Sequence, residues 1–333
     1  MKTRLPEIVR RFERTTALVV GDLIADVYIV GNTSRISREA PVLILEFDSE
    51  RVFLGGAGNA ANNVRSCGAK TYLAGAVGMD AHGDAVWAKL QKQGIQTDAV
   101  LRSDAVNTSI KTRILAGGRH TTRQQIVRLD KCPSLSIDED ARADLLNRIE
   151  KAALKADAII ISDYGHGLVS DEVFRVLLRV ANERNIPITV DTRYGILRFP
   201  GVTAQTPNET EIEELLGVPL QTDDARLIEK GAELRERLAL EALLITRGSK
   251  GMILIDESGN EAIPIFGTDE VADVTGAGDT VVAVFTLSLA CGASFSEAGH
   301  LANIAGGIVV MKRGTATVSA NELIDAVNAS DGK

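Results

Sequence analysis

Between Asp273 and Asp279 the chain reads D-V-T-G-A-G-D, and an apolar run, V-V-A-V-F-T-L-S-L-A-C, begins at Val281. Glycines in such a loop let backbone N–H groups turn toward one point with no Cβ in the way. A helix starting there adds its unpaired N–H groups and the positive end of its dipole. The combination is an anion hole, suited to a phosphate or to negative charge that develops during a reaction. An acid at the same place is not there to bind the anion, because like charges repel. It suits acceptance of a proton from a hydroxyl that attacks phosphorus. Asp279 is therefore the candidate general base, and Gly276, Ala277 and Gly278 the candidate cradle. Asp279 also fits a plain helix N-cap. No G-K-[S/T] follows the glycines, so the loop is not of the Walker kind.

Such a loop needs a rigid frame, and the apolar pattern supplies one. Short buried-strand runs stand at Ala17–Val20, Thr71–Val77, Ala158–Ser162, Ile188–Asp191 and Ala242–Thr246. Helix-period segments at Asn59–Arg65, Asp84–Gln93, Asp140–Lys155, Asp171–Glu183 and Asp223–Leu238 separate most of them. Strands alternating with helices predict a parallel sheet covered on both faces. Two long apolar helices, Gly278–Cys291 and Phe295–Met311, close the chain. Two stretches break the rhythm with a period of two, one over Val27–Gly56 and one over Ser109–Asp130. The second carries an Ala-Gly-Gly-Arg turn, a hairpin signal. They predict a small antiparallel sheet that serves as a lid, with an edge or face free for a second copy of the chain.

Composition narrows the function classes. The 333 residues are 45% hydrophobic and 25% charged, the net charge is -8, and aromatics are only 4%. A broad basic face for nucleic acid and base-stacking platforms are both disfavoured. Cys67, Cys132 and Cys291 are far apart and fit no metal-ligand spacing, which suits reduced thiols in a cytoplasm. The N-terminal stretch has no apolar core of a secretory signal; Leu5, Ile8, Val9 and Phe12 instead mark an amphipathic helix. No run approaches the roughly 18 apolar residues of a membrane span. No G-x-G-x-x-G opens the first strand–helix turn, where G-D-L-I-A-D stands instead, which disfavours a dinucleotide-dependent oxidoreductase.

The D-V-T-G-A-G-D loop resembles the C-terminal signature of the ribokinase-like (PfkB) carbohydrate kinases. G-G-A-G-N-A-A-N-N (Gly55–Asn63), followed by G-A-V-G-M-D-A-H-G (Gly75–Gly83), resembles that family's N-terminal signature. Order, interval and lid strands match over nearly the whole chain. The resemblance implies a ribokinase-like three-layer α/β/α fold, with a mainly parallel sheet and a small antiparallel lid, as one kinase domain over residues 1–333. It implies ATP and Mg²⁺, leaves room for a monovalent cation such as K⁺, and suggests a homodimer through the lid strands.

The resemblance also assigns residues. Asp26, Gly55, Gly56 and Asn59 match sugar-binding positions; carboxylates and amides suit vicinal hydroxyls. A turn with a capping Asp would explain Asp26 equally. T-P-N-E-T-E resembles the N-x-x-E motif, in which Asn208 and Glu211 hold nucleotide phosphates and hydrated Mg²⁺, Glu211 acting on the metal through water. An N-capped helix start reads the same way. T-R-G-S-K-G, with Thr246, Gly248 and Gly251, resembles the nucleotide-phosphate loop, although a hairpin turn would look similar. Asn303, in H-L-A-N-I-A-G-G, lies where the adenine pocket is built.

Within the family, four stretches resemble the D-glycero-β-D-manno-heptose 7-phosphate kinases of lipopolysaccharide core synthesis. They are G-D-L-I-A-D-V-Y-I-V-G-N-T-S-R-I-S-R-E-A-P-V, Q-Q-I-V-R-L-D, I-S-D-Y-G-H-G and D-V-T-G-A-G-D-T-V. That subgroup is often fused to a C-terminal nucleotidyltransferase; with its end at Lys333, this chain is expected to be the stand-alone kinase. A sugar phosphate needs a cationic clamp, and the lid offers Arg35, Arg38, Lys111, Arg113, Arg123 and Arg128. Arg38 and Arg113 are the candidates, because guanidinium binds phosphate bidentately. Two positions depart from the subgroup: His166 stands where Lys is common, and Thr192-Arg193 where Pro-Lys is usual. The expected acceptor is heptose 7-phosphate, phosphorylated at C1. The alternatives are another sugar, sugar phosphate or nucleoside, and a catalytically inactive binding protein.

Overall fold

The computed structural model describes residues 4–117, 123–217, 223–267, 273–312 and 314–330, apart from the side chains of Arg35 and Ser330. Helix α1 (Leu5–Arg11) leads into β1 (Thr16–Gly21), β2 (Leu23–Ile36) and β3 (Leu43–Gly56). Next come α2 (Ala57–Ser66), β4 (Lys70–Gly78), α3 (Ala81–Lys92), β5 (Gln96–Ser103), β6 (Ser109–Gly117) and β7 (Gln124–Lys131). The middle of the chain holds α4 (Glu139–Ala153), β8 (Ala158–Asp163), α5 (Asp171–Arg184), β9 (Ile188–Thr192), β10 (Ala204–Gln205) and α6 (Glu209–Leu216). It ends with α7 (Asp224–Arg237), β11 (Ala242–Thr246), β12 (Met252–Asp256), β13 (Gly259–Ile263), α8 (Ala277–Ala290), α9 (Phe295–Val310) and α10 (Ala320–Ser330).

The main sheet runs β13-β12-β11-β10-β9-β8-β1-β4-β5. Every pairing from β11 across to β5 is parallel, and β12 and β13 add an antiparallel hairpin at one edge. Central strands such as β8 are buried along their whole length. That requires cover on both faces, and the strand period of two delivers it. Val19 of β1 packs into a core formed with α1, α2, α3, α8, α9 and α10. Its neighbours Leu18 and Val20 face the opposite core, built with α4, α5 and α7. These are the three layers expected from the alternating pattern.

The lid runs β3-β2-β6-β7. Its outer pairs are antiparallel, while β2 and β6 in the middle run parallel. The Ala-Gly-Gly-Arg turn falls partly outside the described residues. Only Asp22 separates β1 from β2, so the lid is rooted at the C-terminal edge of the main sheet. Ligands of open parallel sheets bind outside that edge. β7 is exposed throughout, and Ile36, Leu43, Phe47, Ile126, Val127 and Leu129 leave apolar surface on the lid. Among the described residues, no helix is long and apolar enough to cross a membrane.

Candidate active site

The two acids of D-V-T-G-A-G-D do different work. Asp273 braces the loop: its carboxylate accepts the Thr275 N–H at 2.9 Å and the Gly314 N–H at 3.0 Å. The chain then turns through Gly276, whose φ of 79° is left-handed, and enters α8. A Cβ on Gly276 would lie 2.4 Å from Asn59 Nδ2, so glycine is required by both conformation and space. The Ala277 N–H reaches back to the Val274 carbonyl at 3.3 Å. Gly278 and Asp279 stand in the first turn, where amides have no intrahelical acceptor.

Asp279 is not the helix cap; Gly276 holds that position. Its carboxylate is 4% exposed and points at other elements. Asn59 Nδ2, from α2, donates to Oδ2 at 2.8 Å, and the Tyr164 hydroxyl donates to Oδ1 at 3.3 Å. Burial pushes the Asp279 pKa up to about 7; Asn59, Tyr164 and Lys111 pull it down, and Asp26 pushes it further up. A carboxyl poised near neutrality suits a general base. Behind it a buried polar network ties α2 to α8: Thr280 Oγ1 donates to Asn63 Oδ1 at 3.0 Å, and Asn63 Nδ2 to the Asn59 carbonyl at 3.1 Å.

On the lid side the structure joins two expected residues to each other. Arg113 Nη1 meets Asp26 Oδ1 at 2.6 Å, with the guanidinium over the Tyr28 ring. Gly55 explains how Asp26 fits, and Gly56 how β3 passes Asp22. A Cβ on Gly55 would meet Asp26 Oδ2 at 2.6 Å, and one on Gly56 the Asp22 carbonyl at 2.4 Å. Lys111, beside Asp26 in register, stacks on the Tyr164 ring at 4.5 Å. The other lid cations lie elsewhere. Arg123 pairs with Asp48, and Arg128 with Asp130, at the surface. Arg38 is exposed beyond Ile36, which stands roughly 30 Å along β2 from Asp26 at about 3.3 Å per residue. Arg35's side chain is outside the described residues. His166 is half-buried, its Nδ1 3.0 Å from Ser109 Oγ, and burial lowers its pKa, so it does not supply the charge of the Lys it replaces.

Two neighbouring cavities share Thr246, Val274 and Gly278 as walls. One, about 180 Å³, is mainly apolar and is lined by Gly251, Val281, Asn303 and Gly306 among others. Asn303 Nδ2 donates to the Pro264 carbonyl at 2.8 Å and thereby fixes the chain beyond β13 over α9. The other, about 400 Å³, is polar and reaches from Asn208 and Glu211 to Asp279. Together they suit a flat apolar base followed by a chain of phosphates that ends at Asp279. Gly248 and Gly251 have φ of 55° and 82° in the β11–β12 connection, so T-R-G-S-K-G is both a hairpin turn and a cavity wall.

Asn208 and Glu211 likewise satisfy both of their readings. They form a capping box at the start of α6: the Asn208 side chain accepts the Glu211 N–H at 2.8 Å, and Glu211 Oε2 accepts the Asn208 N–H at 2.9 Å. Glu211 Oε1 also pairs with Arg193 at 3.0 Å. With both oxygens engaged, Glu211 fits a hydrated cation through water better than direct ligation. Among the described residues, no three His, Cys, Asp or Glu side chains are placed to hold a metal by themselves. A Mg²⁺ here fits only with phosphate oxygens and water as its main ligands.

Several site residues carried no assignment from sequence. Tyr164 and Asp163 lie inside the quoted I-S-D-Y-G-H-G, and Asn63 inside G-G-A-G-N-A-A-N-N; the motifs were visible but not these contacts. Asp191 closes the 400 Å³ cavity beside Asp279, and burial raises its pKa well up. Its signal was a lone acid at a strand end.

The profile described as pfkB family carbohydrate kinase matches residues 14–322. Bifunctional protein HldE of Geobacter metallireducens is 39% identical over 313 residues, covering 93% of this chain and 62% of that protein. Bifunctional protein HldE of Paramagnetospirillum magneticum is 37% identical over 336 residues, covering 99% of this chain and 67% of that protein. The chain thus spans about two thirds of the length of these curated relatives. Among solved structures, Arabidopsis thaliana ribokinase complexed with ribose and ATP superposes with a TM-score of 0.70 at 20% identity, over 94% of this chain and 98% of that one. Escherichia coli phosphofructokinase-2 in complex with substrates and products gives 0.74 at 17% identity, over 95% and 99%. Both share the fold.

Proposed function

Because the chain belongs to the pfkB family of carbohydrate kinases, and is thus an ATP-dependent sugar kinase, we propose that its acceptor is D-glycero-β-D-manno-heptose 7-phosphate. Phosphorylation at C1 would give heptose 1,7-bisphosphate for ADP-heptose and lipopolysaccharide core synthesis. The observation that carries this reading is the cationic acceptor side of the site. Arg113 and Lys111 stand two residues apart on the lid strand β6, beside Asp26, and Lys111 also contacts Tyr164, a partner of the base. A neutral sugar needs no such charge. The subgroup resemblance and the HldE-named relatives support the same choice.

The chemistry follows from the geometry. The C1 hydroxyl gives its proton to the Asp279 carboxylate. Its oxygen attacks the γ-phosphorus, the bond from that phosphorus to the β–γ bridging oxygen breaks, and ADP leaves. The free amides at the start of α8 face the charge on the transferring group. Mg²⁺, held by the nucleotide phosphates and through water by Glu211, would neutralise phosphate charge when bound. The lid covers the sugar and excludes water, which limits ATP hydrolysis. Asn208, Thr246, Gly248, Gly251 and Asn303 hold the nucleotide, and Asp26, Gly55, Gly56 and Asn59 the sugar. The reading extends to one kinase domain over 1–333, a cytoplasmic location, and a homodimer through the apolar lid surface, with Arg38 at its exposed tip. It includes neither nucleic acid nor membrane as partner.

One observation favours a second acceptor class. Arg113 is already neutralised by Asp26, so a neutral sugar is the competing reading. ADP release across heptose 7-phosphate, fructose 6-phosphate, sedoheptulose 7-phosphate, ribose and fructose separates the two. Selective turnover of heptose 7-phosphate is expected. Preference for ribose or fructose would refute the heptose assignment and leave the kinase standing.

A further inference from the structure

Tyr164 has no part in the mechanism above, yet it touches the base. It sits on the turn after β8, and that turn is held rigidly from below. Asp22 accepts the backbone N–H of Tyr164 at 2.9 Å and of His166 at 3.1 Å on one carboxylate oxygen. The Leu168 N–H approaches its other oxygen at 3.4 Å. The ring is thereby aimed between the lid and α8. Its hydroxyl donates to Asp279 Oδ1 at 3.3 Å, opposite the Asn59 donor on Oδ2. Its face carries the Lys111 ammonium at 4.5 Å, from lid strand β6.

We propose that Tyr164 is a positioning residue for the base: its hydroxyl orients the Asp279 carboxylate, and Lys111, stacked on its ring, ties that orientation to the lid. The inference rests on Asp279 as the base. The chemistry of the groups is consistent with it. Each carboxylate oxygen has two acceptor directions, so one donor per oxygen leaves room for the substrate hydroxyl. Burial, reinforced by the charge of Asp279, holds the phenol protonated well above its usual range, so Tyr164 donates and does not compete for the substrate's proton. The charged and titratable groups facing Asp279 are Asp26 on β2, Lys111 on β6, Tyr164 itself and Asp191 on β9. Of these, Tyr164 and Lys111 favour the ionised base, and the two acids oppose it.

The test is the pH titration of the Asp279 carboxyl by ¹³C NMR on the full chain, assigned with Asp279→Asn. It is paired with the pH dependence of turnover on heptose 7-phosphate. In wild type, Asp279 is expected to titrate near 7. Losing a hydrogen bond to an ionised carboxylate moves a pKa by about one unit, so Tyr164→Phe should titrate near 8. Turnover should then fall about tenfold at pH 6 and about fivefold at pH 7, and recover above about pH 9. Lys111→Met should raise the same titration from the lid side, and it keeps the test alive if Tyr164→Phe folds poorly. A wild-type titration near 7 that neither variant moves, or a loss of rate by one factor at every pH, overturns the inference. A wild-type titration at the ordinary carboxylate value of about 4 overturns the base assignment itself, and the inference with it.

Discussion

Gly276→Ala tests the loop most sharply, because one added methyl meets one identified atom. The new Cβ would stand 2.4 Å from Asn59 Nδ2. Ala must also adopt the left-handed backbone, at about 1–2 kcal/mol. Asn59 cannot swing away freely: it is fully buried, and its amide nitrogen donates to Asp279 at 2.8 Å and to the Gly276 carbonyl at 3.4 Å. The outcome is a displaced Asn59 and an Asp279 without its closer donor. A hydrogen bond to a charged group contributes about 1.5–3 kcal/mol, which corresponds to about 10–150-fold in rate. We expect kcat at pH 7 to fall within that range. The acidic limb of the pH profile should move upward, since the Asn59 bond lowers the Asp279 pKa. Gly276 lines the polar cavity and not the apolar one, so ATP affinity by calorimetry should change less than kcat does. Initial rates of ADP release provide the assay. A kcat within twofold of wild type would refute the reasoning that Asn59 sets the base.

Two further substitutions probe the acceptor and nucleotide sides. Arg113→Met leaves Asp26 buried without its cation; unfolding stability should drop by about 3 kcal/mol, and KM for the sugar phosphate should rise more than KM for ATP, as read by chemical denaturation and initial rates. Gly307→Ala would place a Cβ 2.3 Å from the Phe266 carbonyl, beside the apolar cavity. Overpacking against backbone should cost about 1–3 kcal/mol of stability and raise KM for ATP with little change for the sugar.

The apolar runs made the centre of the main sheet legible because parallel strands buried on both faces have no polar positions to confuse the pattern. The edges were not. β5 reads Q-T-D-A-V-L-R-S and is mostly half-exposed, β10 has two residues, and the β12–β13 hairpin hides in a segment read only for its loop. Asp279, Asn59 and the glycines were legible because the small residues and the acid share one motif. The Asp26–Arg113 pair was not, although both residues were named. It depends on the β2–β6 register, which brings positions 87 residues apart into contact. Arg38 illustrates the converse: a suitable side chain just past the end of β2, carried away from Asp26 by the length of that strand. Tyr164 was invisible because its place follows from the Asp22 contacts beneath it, which no local periodicity encodes.

Replacing Asp279 with Asn bears most directly on the central claim. The substitution preserves shape and removes the proton acceptor. Turnover should fall by about three orders of magnitude or more, the loss expected when a general base is removed together with its charge, while ATP binding measured by calorimetry stays close to wild type. Turnover within tenfold of wild type would mean that Asp279 does not take the proton.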